Sequence, residues 1–296
     1  MMPFELPSGV EGITFRFEDR GPVEGVEQFL MEVRRFGAGN TFECYFRGEP
    51  KLGETLQPSI GRRHYYAGKS IVFTPAQERL MLHRFRRHAY AHFQRVPTEW
   101  ETLFLARHHG LPTRLLDWTS NPLVALYFAA FHESDEVSYQ DEKARAATVK
   151  LNLDGSVWAI QRQPGEKHDI DIFADDRPPL SVEGTKLVYP FYPTPRMTAQ
   201  SGMFTLHGNP WIDVVKCAGQ PFAESQLDLA VLARWTVPSR CKAQVIIDLE
   251  RLAVNSRTLF PDLDGLAKGL WQTEIIRQVL KDGLTAPGEP AAGRSI

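Results

Sequence analysis

Residues 108–122 read HHGLPTRLLDWTSNP and run directly into the apolar octet LVALYFAA at 123–130. Pro112 forces Leu111 into an extended conformation and ends any helix before it. Asn121-Pro122 opens another helix, with Thr119 or Ser120 available as its cap. The chain must therefore pass from helix to extended strand to a strongly apolar helix within a few residues. Capping accounts for the hydroxyls but leaves His108, His109, Arg114 and Asp117 without a local role. A connection that only turned the chain would not need so many ionisable groups beside so much hydrocarbon.

The chain has 296 residues, enough to bury a large core without staples. Cys44, Cys217 and Cys241 are far apart and form no CxxC pair. Neither a disulfide framework nor a zinc knuckle is expected, and a reducing cytoplasm is the expected location. The first residues lack the basic and apolar regions of a secretory leader, and no run reaches the length of a membrane helix. Net charge is −2, which argues against a dedicated duplex-DNA binder. Residues 60–96 nevertheless carry eight Lys/Arg against one acid, Glu78, with His64, His83, His88 and His92 among them. Such a block can face phosphate, or it can be a solvated helix face balanced elsewhere.

Periodicity predicts a short Phe-rich segment near residue 14 and a helix to Phe36 with Phe29, Leu30, Val33 and Phe36 on one face. An aromatic strand follows over 41–48. A long helix begins at Thr74-Pro75, with Leu82, Phe85, Ala89, Phe93 and Val96 on one face. Helices are expected at 99–108, 122–132 and 263–280, and strands at 147–153, 157–161, 234–237 and 244–249, the last on its β-branched run. A long loop is expected over 165–179. The fold class that results is α+β, a single domain with a mixed or antiparallel sheet core flanked by helices. Residues 1–39 read as an N-terminal extension, 40–282 as the domain and 283–296 as a disordered tail.

Three motifs carry chemistry. Tyr45-Phe46-Arg47-Gly48-Glu49 ends a strand on a guanidinium, whose planar fork suits pyrophosphate or carboxylate. A structural salt bridge to Glu78 or Asp117 is the other reading of Arg47, and Gly48 permits close approach of a ligand or another backbone. The second motif is 108–122, where Arg114 and Asp117 can pair with each other. The third, Pro195 to His207, alternates partly like a strand and presents Gln200 beside Ser201-Gly202. No P-loop, GxGxxG, GxSxG or HExxH occurs, and adjacent imidazoles are poorly disposed to share a metal, so no metal is expected.

In order along residues 40–268, these motifs resemble the FRG domain family, named for its aromatic-Arg-Gly signature. Phe46-Arg47-Gly48, Leu56 to Ile60 with Arg62, Glu78 with Phe85, the 108–119 block, Ala125 to Ala129, Arg196 with 200–205, and 260–265 carry the likeness. Arg107 stands where many relatives have Gln. The order Arg47-Gly48, Thr119-Ser120 before an Ala- and Phe-rich helix, then Gln200, is also similar to that of ADP-ribosyltransferases, although Gln200 occupies the place of their usual Glu. Glu78, Asp117 or Glu224 would then have to supply a carboxylate.

This second resemblance implies an NAD-dependent transferase of ADP-ribosyltransferase-like fold, with NAD as substrate and RNA, DNA or protein as acceptor. It implies Arg47, Asp117 and Gln200 as catalytic residues. Arg47, Gly48, His108, His109, Thr113, Arg114, Thr119, Ser120 and Tyr127 would contact NAD, and Arg86, Arg87 and Arg196 the acceptor. Such chemistry is harmful to its host, which implies a toxin or phage-defence effector with an antitoxin or other regulator as partner. Two further readings stand beside it. One is a non-catalytic nucleic-acid or nucleotide-binding module using the 60–96 block and Arg114, with Trp100, Trp118 and Tyr127 for stacking. The other is a glycosidic or phosphodiester hydrolase with Asp117 or Glu78 as acid or base.

Overall fold

A computed structural model of the protein describes residues 16–37, 44–52, 56–131, 153–161, 170–173, 177–190, 195–214 and 231–281. In chain order these residues form β1 (Arg16–Pro22), α1 (Val26–Gly37), β2 (Cys44–Glu49), β3 (His64–Tyr66), β4 (Lys69–Ile71), α2 (Pro75–Phe93), α3 (Glu99–His108), β5 (Leu115–Thr119) and α4 (Pro122–Ala130). They continue with β6 (Gly155–Gln161), β7 (Ile170–Asp171), β8 (Thr185–Tyr189), α5 (Pro195–Ala199), β9 (Gly202–His207), β10 (Val231–Val237), α6 (Ser239–Arg251), α7 (Ser256–Leu259) and α8 (Leu263–Lys281). Eight described strands make one mixed sheet in the order β1-β10-β6-β2-β5-β9-β8-β7, parallel at its two outer pairs and antiparallel between. The α+β single-domain architecture is therefore that expected. Strand β1 and helix α1, in the stretch read as an extension, belong to this same sheet and core.

Local sequence sets the helix starts. Thr74 and Gln77 form a reciprocal capping box with Pro75 in the first turn, and Thr98 and Glu101 form another. Asn121, rather than Thr119 or Ser120, caps α4 by accepting from the Leu123 amide at 3.0 Å, while Thr119 Oγ1 accepts from the Asn121 amide. Helix α2 ends at Phe93, where Gln94 turns left-handed at φ 53°. Phe93 and Val96 are consequently exposed instead of continuing the apolar face.

Helix α4 is apolar all round because it is surrounded. It lies across β2 and β6, with Val124, Ala125 and Ala129 in one core with Phe29, Trp235 and Leu249. Gly48 and Gly155 make that approach possible: a Cβ on either would run into the carbonyl of Ala125 or Ala129. Backbone contact thus accounts for Gly48, the second of the two roles open to it. The other face of the sheet carries Tyr45, Trp118, Trp158 and Ile160. A third cluster joins α2 and α3 to Leu115, Phe204 and Leu206.

The strand expected at 244–249 is instead part of α6. Val245 and Leu249, one helical turn apart, enter the core beside α4, and that burial outweighs the weak β preference of Val245-Ile246-Ile247. Strand β8 has no counterpart among the expected strands, and β7 falls within the loop expected over 165–179. The first part of 195–207 is the short helix α5, and only its second part is strand. Residues 147–152 and the tail at 283–296 lie outside the described residues, as does much of the 165–179 loop.

His207 on β9 is buried between two hydroxyls, Thr205 Oγ1 at 2.9 Å and Thr185 Oγ1 at 3.5 Å. Burial, with the charges of Arg47 and Arg114, pushes its imidazole down to about 3. The ring is therefore neutral in the fold, whereas an unfolded histidine titrates at about 6.5. Between those values the unfolded chain holds the extra proton, so this contribution to stability is full above the unfolded value and is lost progressively as pH falls toward 3. Urea unfolding of wild type and His207→Asn at pH 6.5 and 5 should show a drop about 1.6 kcal/mol smaller in the variant. Equal pH dependence in the two proteins would contradict a neutral buried ring.

Candidate functional site

Strands β2 and β5 are neighbours but share a single paired position, Phe46 with Thr119, whereas β2 pairs with β6 over all six of its residues. The Arg47 guanidinium spans the gap: NH1 donates to the Asp117 main-chain carbonyl at 2.9 Å and lies 3.5 Å from its Oδ2. Behind it, Nε donates to Glu49 Oε1 at 3.1 Å. That buried carboxylate also meets Arg62 at 3.4 Å, and its Oε2 has no hydrogen-bond partner among the described residues.

A cleft of about 410 Å³ opens along this split. Its charged and polar lining comes from Arg47 on β2, Arg107 and His108 at the end of α3, Asp117 and Thr119 on β5, Arg196 on α5, and Gln200. Phe46, Trp118 and Phe128 supply aromatic wall. The volume falls in the range of small-molecule sites, which pair apolar walls with a few fixed polar groups.

Arg107 holds Asp117 in a bidentate pair, with Nε 3.0 Å from Oδ1 and 3.1 Å from Oδ2, and NH2 also on Oδ2. Burial alone would raise the Asp117 carboxyl, but the charges of Arg107 and Arg47 and the Arg107 hydrogen bonds outweigh it and hold the group below the usual range. Arg107 is correspondingly raised, chiefly by the Asp117 charge. Burial, then the His109 and Arg196 charges, lower the His108 imidazole and keep it neutral near pH 7. The cleft thus joins an ionised carboxylate and a neutral imidazole with three guanidiniums. The third, Arg196, lies with its guanidinium carbon 4.1 Å from the centre of the Phe260 ring. Gln200 donates through Nε2 to the Leu259 carbonyl at 3.2 Å, and its own carbonyl accepts from Thr119 Oγ1 at 2.7 Å.

Several residues assigned to NAD lie elsewhere. Arg114 forms a buried bidentate pair with Glu78 at 3.0 and 2.7 Å, not with Asp117. Arg107, noted only as a departure, takes Asp117 instead. Tyr127 is a core residue whose hydroxyl lies 2.6 Å from Ser256 Oγ. Thr113 is buried, its amide donating to Ser59 Oγ and its carbonyl accepting from the Ile60 amide. Ser120 is exposed, and its amide donates to the Ser201 carbonyl. His109 caps α3 and packs beside Phe85 with ring centres 6.5 Å apart.

Arg86 donates to the Pro97 carbonyl at 2.7 Å, and Arg87 is exposed on α2. Trp100 and Trp118 are buried, so neither they nor Tyr127 are open for stacking at the surface. Glu224 lies outside the described residues. Among the cleft residues without an assigned role are Arg107, Phe46, Phe128 and Phe204, and Glu49 stands behind Arg47. An unmatched charge at 107 and an acid directly after Arg-Gly were the signals available.

Fold and site define an α+β domain with a charged, aromatic-walled cleft at a split between central strands. Residues 43–138 match the family model of the FRG domain. The match includes Arg47, Arg107, His108, Asp117 and Thr119, while Arg196 and Gln200 come from beyond it. No curated protein and no solved structure matches the chain. No helix among the described residues is long and apolar enough to cross a membrane.

The Glu78–Arg114 pair is a structural device with side chains 1 % and 6 % exposed. Glu78→Gln strands a buried guanidinium and should lower unfolding free energy by about 3–5 kcal/mol in urea titrations. The double variant Glu78→Leu, Arg114→Met should recover most of that loss. A Glu78→Gln protein as stable as wild type would contradict the pairing.

Proposed function

We propose that the protein is an NAD-dependent ADP-ribosyltransferase-like enzyme whose reaction takes place in the β2–β5 cleft. One observation carries this reading: Arg47, Arg107 and Arg196 share a small aromatic-walled cleft with a single carboxylate, Asp117, which two of them keep ionised. An excess of guanidinium over carboxylate suits a pyrophosphate. Phe128, partly exposed in the cleft, offers flat apolar surface for a nicotinamide ring.

In the proposed step the bond between ribose C1′ and the nicotinamide nitrogen breaks. The electron pair leaves with nicotinamide, which departs neutral. The ribosyl centre becomes oxocarbenium-like, and Asp117 provides the negative charge that stabilises it. A nucleophile on the acceptor then forms the new bond at C1′ and releases its proton to His108 or water. Asp117 takes the role that Glu has at the third motif of such transferases, and Gln200, tied to Thr119 and Leu259, holds the facing wall. No protein nucleophile is required, and positioning with charge stabilisation supplies the acceleration. Consumption of NAD or marking of nucleic acid fits a toxin or phage-defence effector in the cytoplasm, restrained by an antitoxin or another regulator.

Incubation with labelled NAD and mixtures of RNA, DNA and protein should release nicotinamide and label an acceptor. Asp117→Asn should bind NAD at least as tightly as wild type, because it removes negative charge from the cleft, yet turn over about a hundredfold more slowly or worse. Absence of both NAD binding and nicotinamide release in every mixture would rule the reading out.

A further inference from the structure

Helix α2 carries one acid, Glu78, and that acid points inward to Arg114. Its outward face is left with Arg79, His83, Arg84, Arg87 and Tyr90, all exposed. Among the described residues, none of these three arginines takes part in an ion pair. Just before the helix, β3 and β4 form a separate two-stranded hairpin, with Tyr65 opposite Ser70, Tyr66 opposite Lys69, and left-handed residues Ala67 and Gly68 at its turn. Tyr65 and Tyr66 are 76 % and 79 % exposed, values unusual for rings that could pack elsewhere. Arg63 and Lys69 are exposed beside them. His64 packs at a tilt against Phe73 with ring centres 4.9 Å apart, which ties the hairpin to the start of α2.

The inner sides of the same elements reach the cleft. Phe85 on α2 packs against His109, the neighbour of cleft residue His108. The segment leading into the hairpin reaches Arg107, whose NH1 lies 3.4 Å from Ser59 Oγ, and His64 Nε2 lies 2.8 Å from the Ser59 carbonyl.

Unpaired cations interleaved with exposed flat rings match single-stranded nucleic acid, whose phosphates take the charge and whose unstacked bases take the rings. A protein partner with an acidic face would also use tyrosines, but here each end of the Tyr65-Tyr66 pair is flanked by a cation, Arg63 or Lys69, the alternation of charge and ring that follows a phosphate chain with its bases splayed out. We propose that the β3–β4 hairpin and the outward face of α2 bind single-stranded nucleic acid and present it to the cleft as acceptor. The binding stands alone; only its service as acceptor rests on the transferase reading.

Fluorescence anisotropy of the full chain with labelled 15-nucleotide RNA, the same sequence as single-stranded DNA, and its duplex tests this without NAD. Single strands should bind more tightly than duplex, and the RNA and DNA arms report which sugar is preferred. Four phosphate contacts give a log–log salt slope near −3, about 50-fold weaker binding between 50 and 200 mM salt. The triple variant Arg79→Gln, Arg84→Gln, Arg87→Gln should weaken binding at least about tenfold and flatten that slope to about −1. Tyr65→Ala with Tyr66→Ala should weaken it at least about thirtyfold with the slope unchanged. None of these positions lines the cleft. No binding of any strand at 50 mM salt, or binding indifferent to both variants, overturns the proposal. So does binding to phosphatidylserine vesicles in place of oligonucleotides. Intact strand binding with no nicotinamide release would instead overturn the transferase reading and leave this surface standing.

Discussion

The site depends on one guanidinium bridging two strands that barely pair. Where β2 and β5 part after Phe46 and Thr119, Arg47 supplies the hydrogen bond to the Asp117 carbonyl that a continued ladder would have made. The sheet therefore keeps its order across the split while leaving room for a cleft. Burial makes this arrangement demanding, because a charge removed from water must be matched on every side. Glu49 behind Arg47 and Asp117 ahead of it provide that match, and Arg107 completes it by holding Asp117 from the other side. Of the charged groups that line the cleft, three are cationic and one is anionic.

Charge pairing also divides the 107–117 segment into two functions. Arg114 turns to Glu78 and fastens α2 to β5, so it is lost to any ligand. Asp117, two positions beyond the start of the strand, turns to Arg107 and stays in the cleft. The first pair is structural and the second belongs to the site. By drawing Glu78 inward, the first pair also leaves the outer face of α2 cationic. A single buried contact thereby sets the charge of a surface on the far side of the helix.

Much of this was legible in the sequence where the cause is local. Thr74 with Gln77, Thr98 with Glu101, and Asn121 with Pro122 mark helix starts by chemistry contained within four residues. The motifs containing Arg47, Asp117 and Gln200 were legible as site material, and the three residues line one cleft. Partners were not legible, because they depend on how distant segments pack. Arg114 and Asp117 look like a pair three residues apart, yet each finds a better-placed partner on a helix. Tyr127 and Thr113 carry polar atoms whose needs are met inside the fold, by Ser256 and Ser59, so their polarity signals no ligand. The 244–249 run shows the limit of residue preference: its β-branched side chains pack as readily from a helix once α4 offers a surface to cover.

The central claim is that this cleft grips a dinucleotide across the β2–β5 split. A crystal structure with a non-hydrolysable NAD analogue, its nicotinamide-ribose linkage replaced by carbon, tests it most directly. The account predicts pyrophosphate density against Arg47 and Arg196, with the ribose carbon facing Asp117. An analogue bound elsewhere, or an empty cleft at saturating concentration with the Arg47 and Arg107 pairs undisturbed, would contradict it.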